Sequence, residues 1–164
     1  GRGHLRSADS ISVQIERDLR RQVNNAQNAK KEAFVITCHS DVAERLIGTD
    51  GTTISTLERE LQRALFVRAE EGTHIEDYAI VGGDINELEK NRNKYRRAQV
   101  VECRIVASQL RENGKCIGWA EGFLLDLDNA GKFAGQKAKA RIVDVRRSYA
   151  VAQMIPGTNR PLDS

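Results

Sequence analysis

A chain of 164 residues, of which 40% are hydrophobic and 30% charged, has room for one ordinary domain or two small ones. Its 3 cysteines lie far apart without a C-x-x-C pair, and no apolar run approaches the length of a membrane span, so the composition excludes a disulfide scaffold and disfavours secretion or membrane insertion. We therefore expect a cytoplasmic protein with no membrane partner.

Charge is distributed unevenly along the chain. Residues 1–89 carry 11 basic and 16 acidic side chains, whereas residues 90–164 carry 15 basic and 7 acidic ones. The sign changes within the polar stretch at residues 87–97, which has few apolar residues to bury. We predict two modules, over residues 9–84 and 98–155, joined by a charged linker or solvated helical connection at 85–97 and followed by a disordered tail at 156–164.

The first module alternates helical and strand patterns. Apolar residues repeat every four positions from Ile11 to Val23, which predicts an amphipathic helix capped by Asp9 or Ser10. The remaining elements are expected in the order strand, helix, helix, strand, strand, at residues 33–38, 42–47, 52–63, 65–69 and 78–81.

The two central helices are separated by a G-x-x-G sequence, Gly48 to Gly51. Two glycines allow a backbone to approach a phosphate closely, and the amides of the next helix point towards such an anion, so Gly48, Thr49 and Gly51 are candidate RNA contacts. Asp50 opposes this interpretation because its charge repels phosphate. The alternative is a tight turn between helices with no ligand.

The order of these elements resembles the RNA-binding core of KH domains, over residues 33–81. That resemblance implies a KH-like fold in which the G-x-x-G sequence lies between the two helices of a β-α-α-β-β unit.

The second module shows strand patterns throughout. Five strand-length runs, separated by short turn-like sequences, predict a small closed barrel of the OB type. The runs are residues 99–107, 116–121, 123–127, 136–145 and 148–155. The whole chain is therefore predicted to be α+β, with a KH-like domain followed by a five-stranded OB-like barrel.

The fourth of these runs carries alternating basic residues. Because strand side chains alternate between faces, Lys137, Lys139 and Arg141 are expected to share the outer face while Ala138, Ala140 and Ile142 pack inward. Together with neighbouring basic and aromatic side chains they predict a surface for single-stranded RNA. The additional candidates are Arg146, Arg147, Trp119, Phe123 and Tyr149. The alternative is a solvated basic face above aromatic core residues.

Residues 99–155, and above all GQKAKARIVDVRRSYAVAQ, are similar to the TRAM-type OB modules of RNA-processing enzymes. Both modules, with the opening GRGHLRSADSISVQIERDLRRQV, look like the C-terminal region of a ribonuclease E/G family endoribonuclease. Residues 1–8 would then be the tail of a zinc-binding link. The resemblance implies Mg²⁺ and Zn²⁺ for the full-length enzyme, but its catalytic aspartates and link cysteines match no position here.

We accordingly assign no catalytic residue, metal ligand or cofactor to this chain. The resemblance implies an accessory region that binds RNA and helps to assemble a homo-oligomer, in a Mg²⁺-dependent endoribonuclease of RNA processing and decay. The alternatives are a stand-alone RNA-binding adaptor and a protein-interaction module that never contacts RNA.

Overall fold

A computed structural model describes residues 6–92, 94–111, 115–128 and 130–163. Residues 1–5, which form most of the predicted zinc-link tail at 1–8, lie outside the described residues. The chain is α+β and divides into two units, residues 1–93 and 94–164. Among the described residues, no helix is long and apolar enough to cross a membrane.

Three helices form one side of the first unit: α1 (Ala8–Asn24), α2 (Ser40–Ile47) and α3 (Thr52–Leu61). The cap predicted for α1, Asp9 or Ser10, is wrong by two or three residues. Ser7 caps α1 by accepting a hydrogen bond from the Ser10 amide, and the His39 imidazole caps α2 by accepting one from the Asp41 amide. The third helix ends before the expected Arg63 because Gln62 adopts a left-handed conformation.

The sheet of the first unit has three strands, β1 (Ala33–Cys38), β2 (Ala64–Ala69) and β3 (Tyr78–Gly83). The central strand is β1, which pairs in parallel with β2 and antiparallel with β3. A parallel pair needs a crossover, and α2 and α3 supply it. Phe34, Ile36 and Phe66 are each fully buried, so these strands form the core of the unit.

The predicted linker at 85–97 contains a helix, α4 (Ile85–Arg92). Ile85 and Leu88 of this helix pack against Ala33, Val35 and Phe66. They are the two apolar residues of an otherwise polar stretch, which is why the sequence pattern indicated a solvated connection.

The second unit is a closed β-barrel of five strands, β4 (Val100–Ala107), β5 (Cys116–Ala120), β6 (Phe123–Leu127), β7 (Gln136–Val145) and β8 (Tyr149–Met154). Neighbouring strands follow the order β4-β5-β6-β8-β7, and a further pairing of β7 with β4 closes the ring. The predicted barrel and its strand positions are confirmed.

The barrel interior is filled by the alternate residues of each strand, as the sequence predicted for β7. Ala138, Ala140 and Ile142 are at most 1% exposed and lie in the same cluster as Ile105 and Leu125. The small side chains of β7 leave room for the larger ones of β4 and β6, a combination that suits the narrow interior of a small barrel.

Residues 156–163 do not match the disorder predicted for the tail at 156–164. They form a turn and a two-residue strand, β9 (Arg160–Pro161), which pairs with the start of β7. The Thr158 hydroxyl anchors this segment by accepting a hydrogen bond from the Lys139 amide at 3.0 Å. The polar composition of the tail carries no sign of these backbone contacts.

Candidate nucleic-acid interface

The outer face of β7 carries the predicted basic side chains. Lys139 and Arg141 are exposed and Lys137 is half-buried, while the residues between them point into the barrel. Residues two apart on a strand are separated by about 7 Å, so the three cations extend over about 13 Å of one surface. Within the described residues, neither Lys137 nor Lys139 has an ion-pair partner on its side chain.

The strands beside β7 bring two further cations to this surface. Lys137 lies directly opposite Arg104 of β4 on one side and opposite Arg160 of β9 on the other. Directly opposite residues share a face of the sheet, so the three form a row across it. The sequence pattern gave no indication that Arg160 lies here, because its segment was expected to be disordered.

An acidic side chain also lies within this surface. Glu102 of β4 is directly opposite Lys139, and its carboxylate forms an ion pair with the guanidinium of Arg160. Both partners of that ion pair are substantially exposed, at 49% for Glu102 and 36% for Arg160. The basic surface therefore contains one carboxylate that already engages one of its cations.

The turn before β4 adds two more exposed arginines, Arg96 and Arg97. Its backbone is fixed to β7, because the Ala98 amide donates to the Ile142 carbonyl at 2.8 Å and the Arg141 guanidinium donates to the Ala98 carbonyl at 3.4 Å. The sequence placed these arginines in a linker. The hydrogen bonds of Ala98 instead hold their turn at the end of the β7 surface.

The corner at Arg146 and Arg147 does not simply continue this surface. A β-bulge at Val143 breaks the alternation of β7, and Asp144 follows it. The exposed Arg146 side chain forms an ion pair with Asp144 at 2.9 Å, and Arg147 is half-buried. The positive charge of this corner is thus partly neutralised by its own strand.

The predicted stacking residues are not gathered beside the cations. Trp119 lies on the outer side of β5, opposite Arg104, yet is only 7% exposed, and Tyr149 is half-buried opposite Leu124. Phe123 is in the barrel core, stacked on Tyr95 with ring centroids 4.8 Å apart. The exposed surface is therefore cationic without an open aromatic platform among these three rings.

In the first unit, the G-x-x-G sequence forms the turn between α2 and α3. Gly48 has φ 79° and ψ 170°, and Gly51 has φ 70° and ψ 16°, so both use conformations that glycine favours. A Cβ at Gly48 would stand 2.3 Å from the Thr53 hydroxyl oxygen. Thr49 lies between them in a short 3-10 turn, where its carbonyl accepts a hydrogen bond from the Thr52 hydroxyl.

The three cysteine thiols are buried rather than presented to solvent. Burial raises the pKa of Cys38 to about 12 and that of Cys103 to about 11, and it also raises the pKa of Cys116. These thiols remain protonated at neutral pH. In the part of the chain that the structure describes, no group of three or more His, Cys, Asp or Glu side chains is arranged to hold a metal ion.

No protein-family model matches the chain, and a search of curated proteins finds no match either.

Proposed function

We propose that the barrel unit binds the phosphate backbone of single-stranded RNA through the outer face of β7. One observation carries the proposal: Lys139 and Arg141 are exposed on the same face of one strand, next to Lys137 and the arginines of the preceding turn. Most of the affinity of such a surface comes from phosphate contacts, which carry little sequence information.

The charge of the barrel unit supports this proposal. Residues 94–164 contain 13 basic and 7 acidic side chains, whereas residues 1–93 contain 13 basic and 16 acidic ones. A positive potential concentrated on one unit attracts a polyanion and speeds its association. RNA contact is therefore assigned to the barrel and not to the chain as a whole.

We further propose that the first unit is KH-like. Its helices α2 and α3 connect two parallel strands, and Gly48 and Gly51 lie at the turn between those helices. Because neither glycine has a side chain, no bulky group at these two positions shields the backbone around Thr49. Asp50 lies in the same turn and weakens phosphate binding there, so the barrel supplies the larger share of affinity.

Within a longer protein, this function suits the C-terminal region of a ribonuclease E/G type endoribonuclease. The chain would retain RNA near a nuclease centre and contribute to assembly. The described residues offer no donor set for the Mg²⁺ or Zn²⁺ that such an enzyme uses, so no hydrolytic step is derived from them.

Assembly is proposed to involve the edge strand β3. Its residues, Tyr78–Gly83, include no charge and no proline, and Val81 is 62% exposed. Charged residues and prolines usually protect the edge strands of natural proteins from pairing. An edge strand without them favours pairing with another chain. A second copy of this chain is the proposed partner.

The proposal is tested by fluorescence anisotropy of a labelled single-stranded RNA with the full chain. Affinity is expected to fall by about tenfold or more between about 50 mM and about 300 mM salt, because each phosphate contact releases counterions. Equal binding at both salt concentrations, or no binding at either, would contradict it.

A further inference from the structure

Arg160 crosses β7 to reach its ionic partner. It lies on β9, on one side of β7, whereas Glu102 lies on β4, on the other side. Strands are about 4.8 Å apart, so the two backbones are separated by about 10 Å and the side chains must meet above β7. The contact therefore lies over the outer face of the strand.

The pairing register defines where along β7 this contact occurs. Lys137 is level with Arg160, and Lys139 is level with Glu102. The guanidinium of Arg160 consequently lies between the outward positions of the two lysines. Three cationic side chains and one carboxylate thus occupy neighbouring outward positions on one surface, and only Arg160 contacts the carboxylate.

This arrangement is suited to a tetrahedral anion. Lys137 and Lys139 have no ion-pair partner within the described residues, and a guanidinium binds phosphate oxygens in a bidentate manner. An exposed ion pair such as Arg160–Glu102 stabilises the fold only weakly, so exchanging its carboxylate for another anion costs little.

We infer that Lys137, Lys139 and Arg160 form a binding site for a phosphodiester group, and that Glu102 is a resident competitor which an RNA phosphate displaces from Arg160. The inference rests on the proposed function and identifies the phosphate site within it. Glu102 lowers the affinity for RNA by occupying one cation in the free protein.

The test compares Glu102→Gln with Asp128→Asn, which makes the same change of charge. Asp128 is exposed and follows the end of β6 that pairs with Cys116, away from the site. Anisotropy titrations of the full chain with a labelled single-stranded RNA measure affinity over a range of salt concentrations.

Glu102→Gln is expected to bind RNA about 2- to 5-fold more tightly than the unmodified chain, with a salt slope steeper by about 0.7 because one more cation contacts phosphate. Asp128→Asn should change affinity by less than about 1.5-fold because salt screens a distant charge. Equal effects of the two substitutions, or weaker binding by Glu102→Gln, would overturn the inference.

A second comparison tests the role of Arg160. In a chain carrying Arg160→Ala, adding Glu102→Gln should give no further gain, because the cation that Glu102 occupies is gone. A gain in affinity that persists would show that Glu102 acts only through its charge and not by occupying Arg160, and would overturn the inference.

The two proposals can fail separately. If the unmodified chain shows no salt-dependent RNA binding, the proposed function itself fails. If it binds RNA but Glu102→Gln gives no gain in affinity, only the inference fails.

Discussion

The carboxylate of Asp126 on β6 accepts two hydrogen bonds from the guanidinium of Arg111, at 2.5 and 2.7 Å. The two side chains are only 9% and 13% exposed, so this is a largely buried ion pair on the outer side of the barrel. Arg111 belongs to the connection between β4 and β5, and the ion pair fixes that connection to β6.

Replacing Arg111 should destabilise the barrel because it leaves the Asp126 carboxylate buried without its charged partner. We expect Arg111→Met to lower the free energy of unfolding by about 3 kcal/mol. The chain has one tryptophan, Trp119, which lies in the barrel, so its fluorescence during urea unfolding reports on this unit. Arg146→Met is the control, because its ion pair with Asp144 is exposed and should contribute less than about 1 kcal/mol. Similar losses of unfolding free energy for both substitutions would contradict the conclusion that the Arg111–Asp126 ion pair is buried.

Gly48 should be irreplaceable for a conformational and a steric reason. Its φ of 79° and ψ of 170° belong to a region occupied almost only by glycine, and an added Cβ would meet Thr53. We expect Gly48→Ala to cost about 3 kcal/mol. Gly72→Ala, at φ 77° with open space around it, should cost only about 1 kcal/mol. The stability of both variants is measured by far-UV circular dichroism. This signal reports on the first unit because the described α-helices all lie in it.

The buried thiols should make stability fall at high pH. Burial raises the pKa of Cys38 from its ordinary 9.0 to about 12 in the folded chain, so above pH 9 the thiol ionises first in the unfolded chain, and this ionisation stabilises the unfolded state. Stability is therefore complete below pH 9 and decreases between pH 9 and about 12. Urea unfolding followed by circular dichroism at several pH values should show a smaller decrease for Cys38→Ala. An identical pH dependence in both proteins would count against the burial of this thiol.

Self-association through β3 should depend on its exposed apolar centre. Val81→Lys places a charge on the edge strand, where it opposes pairing with a second copy. We expect sedimentation velocity to show less association for this variant than for the unmodified chain. Val143→Lys, at another exposed valine, is the control and should leave association unchanged. Unaltered sedimentation of Val81→Lys would exclude the β3 edge as the contact.

The barrel could be predicted from sequence because alternation of side chains has a short period and leaves a local signal. The bounds of β6 and β7 agree with the predicted runs at 123–127 and 136–145, and the inward positions of Ala138 and Ile142 agree as well. These positions depend only on neighbours in the same strand.

Features that depend on distant partners were not predictable. Arg160 joins the basic surface only because β9 pairs with β7, and Trp119 is buried although it lies on the outer side of its strand. The cap of α1 was misplaced for a local reason, because Asp9 and Ser10 lie two and three residues after Ser7 and can also cap a helix. Pairing across 58 residues, as between Glu102 and Arg160, leaves no periodic signal in the sequence.

The most direct test of RNA binding by the β7 face is a charge reversal with a matched control. Lys139→Glu with Arg141→Glu changes the proposed surface. Lys115→Glu with Lys132→Glu makes the same change of charge near the other end of β4, where Ala107 pairs with Cys116. Affinity for a labelled single-stranded RNA is measured by anisotropy. We expect the first pair to weaken binding by at least about tenfold and to reduce the salt slope by about 1.4, and the second pair to weaken it only a few-fold. Equal losses for the two pairs, or no loss for the first, would contradict the account.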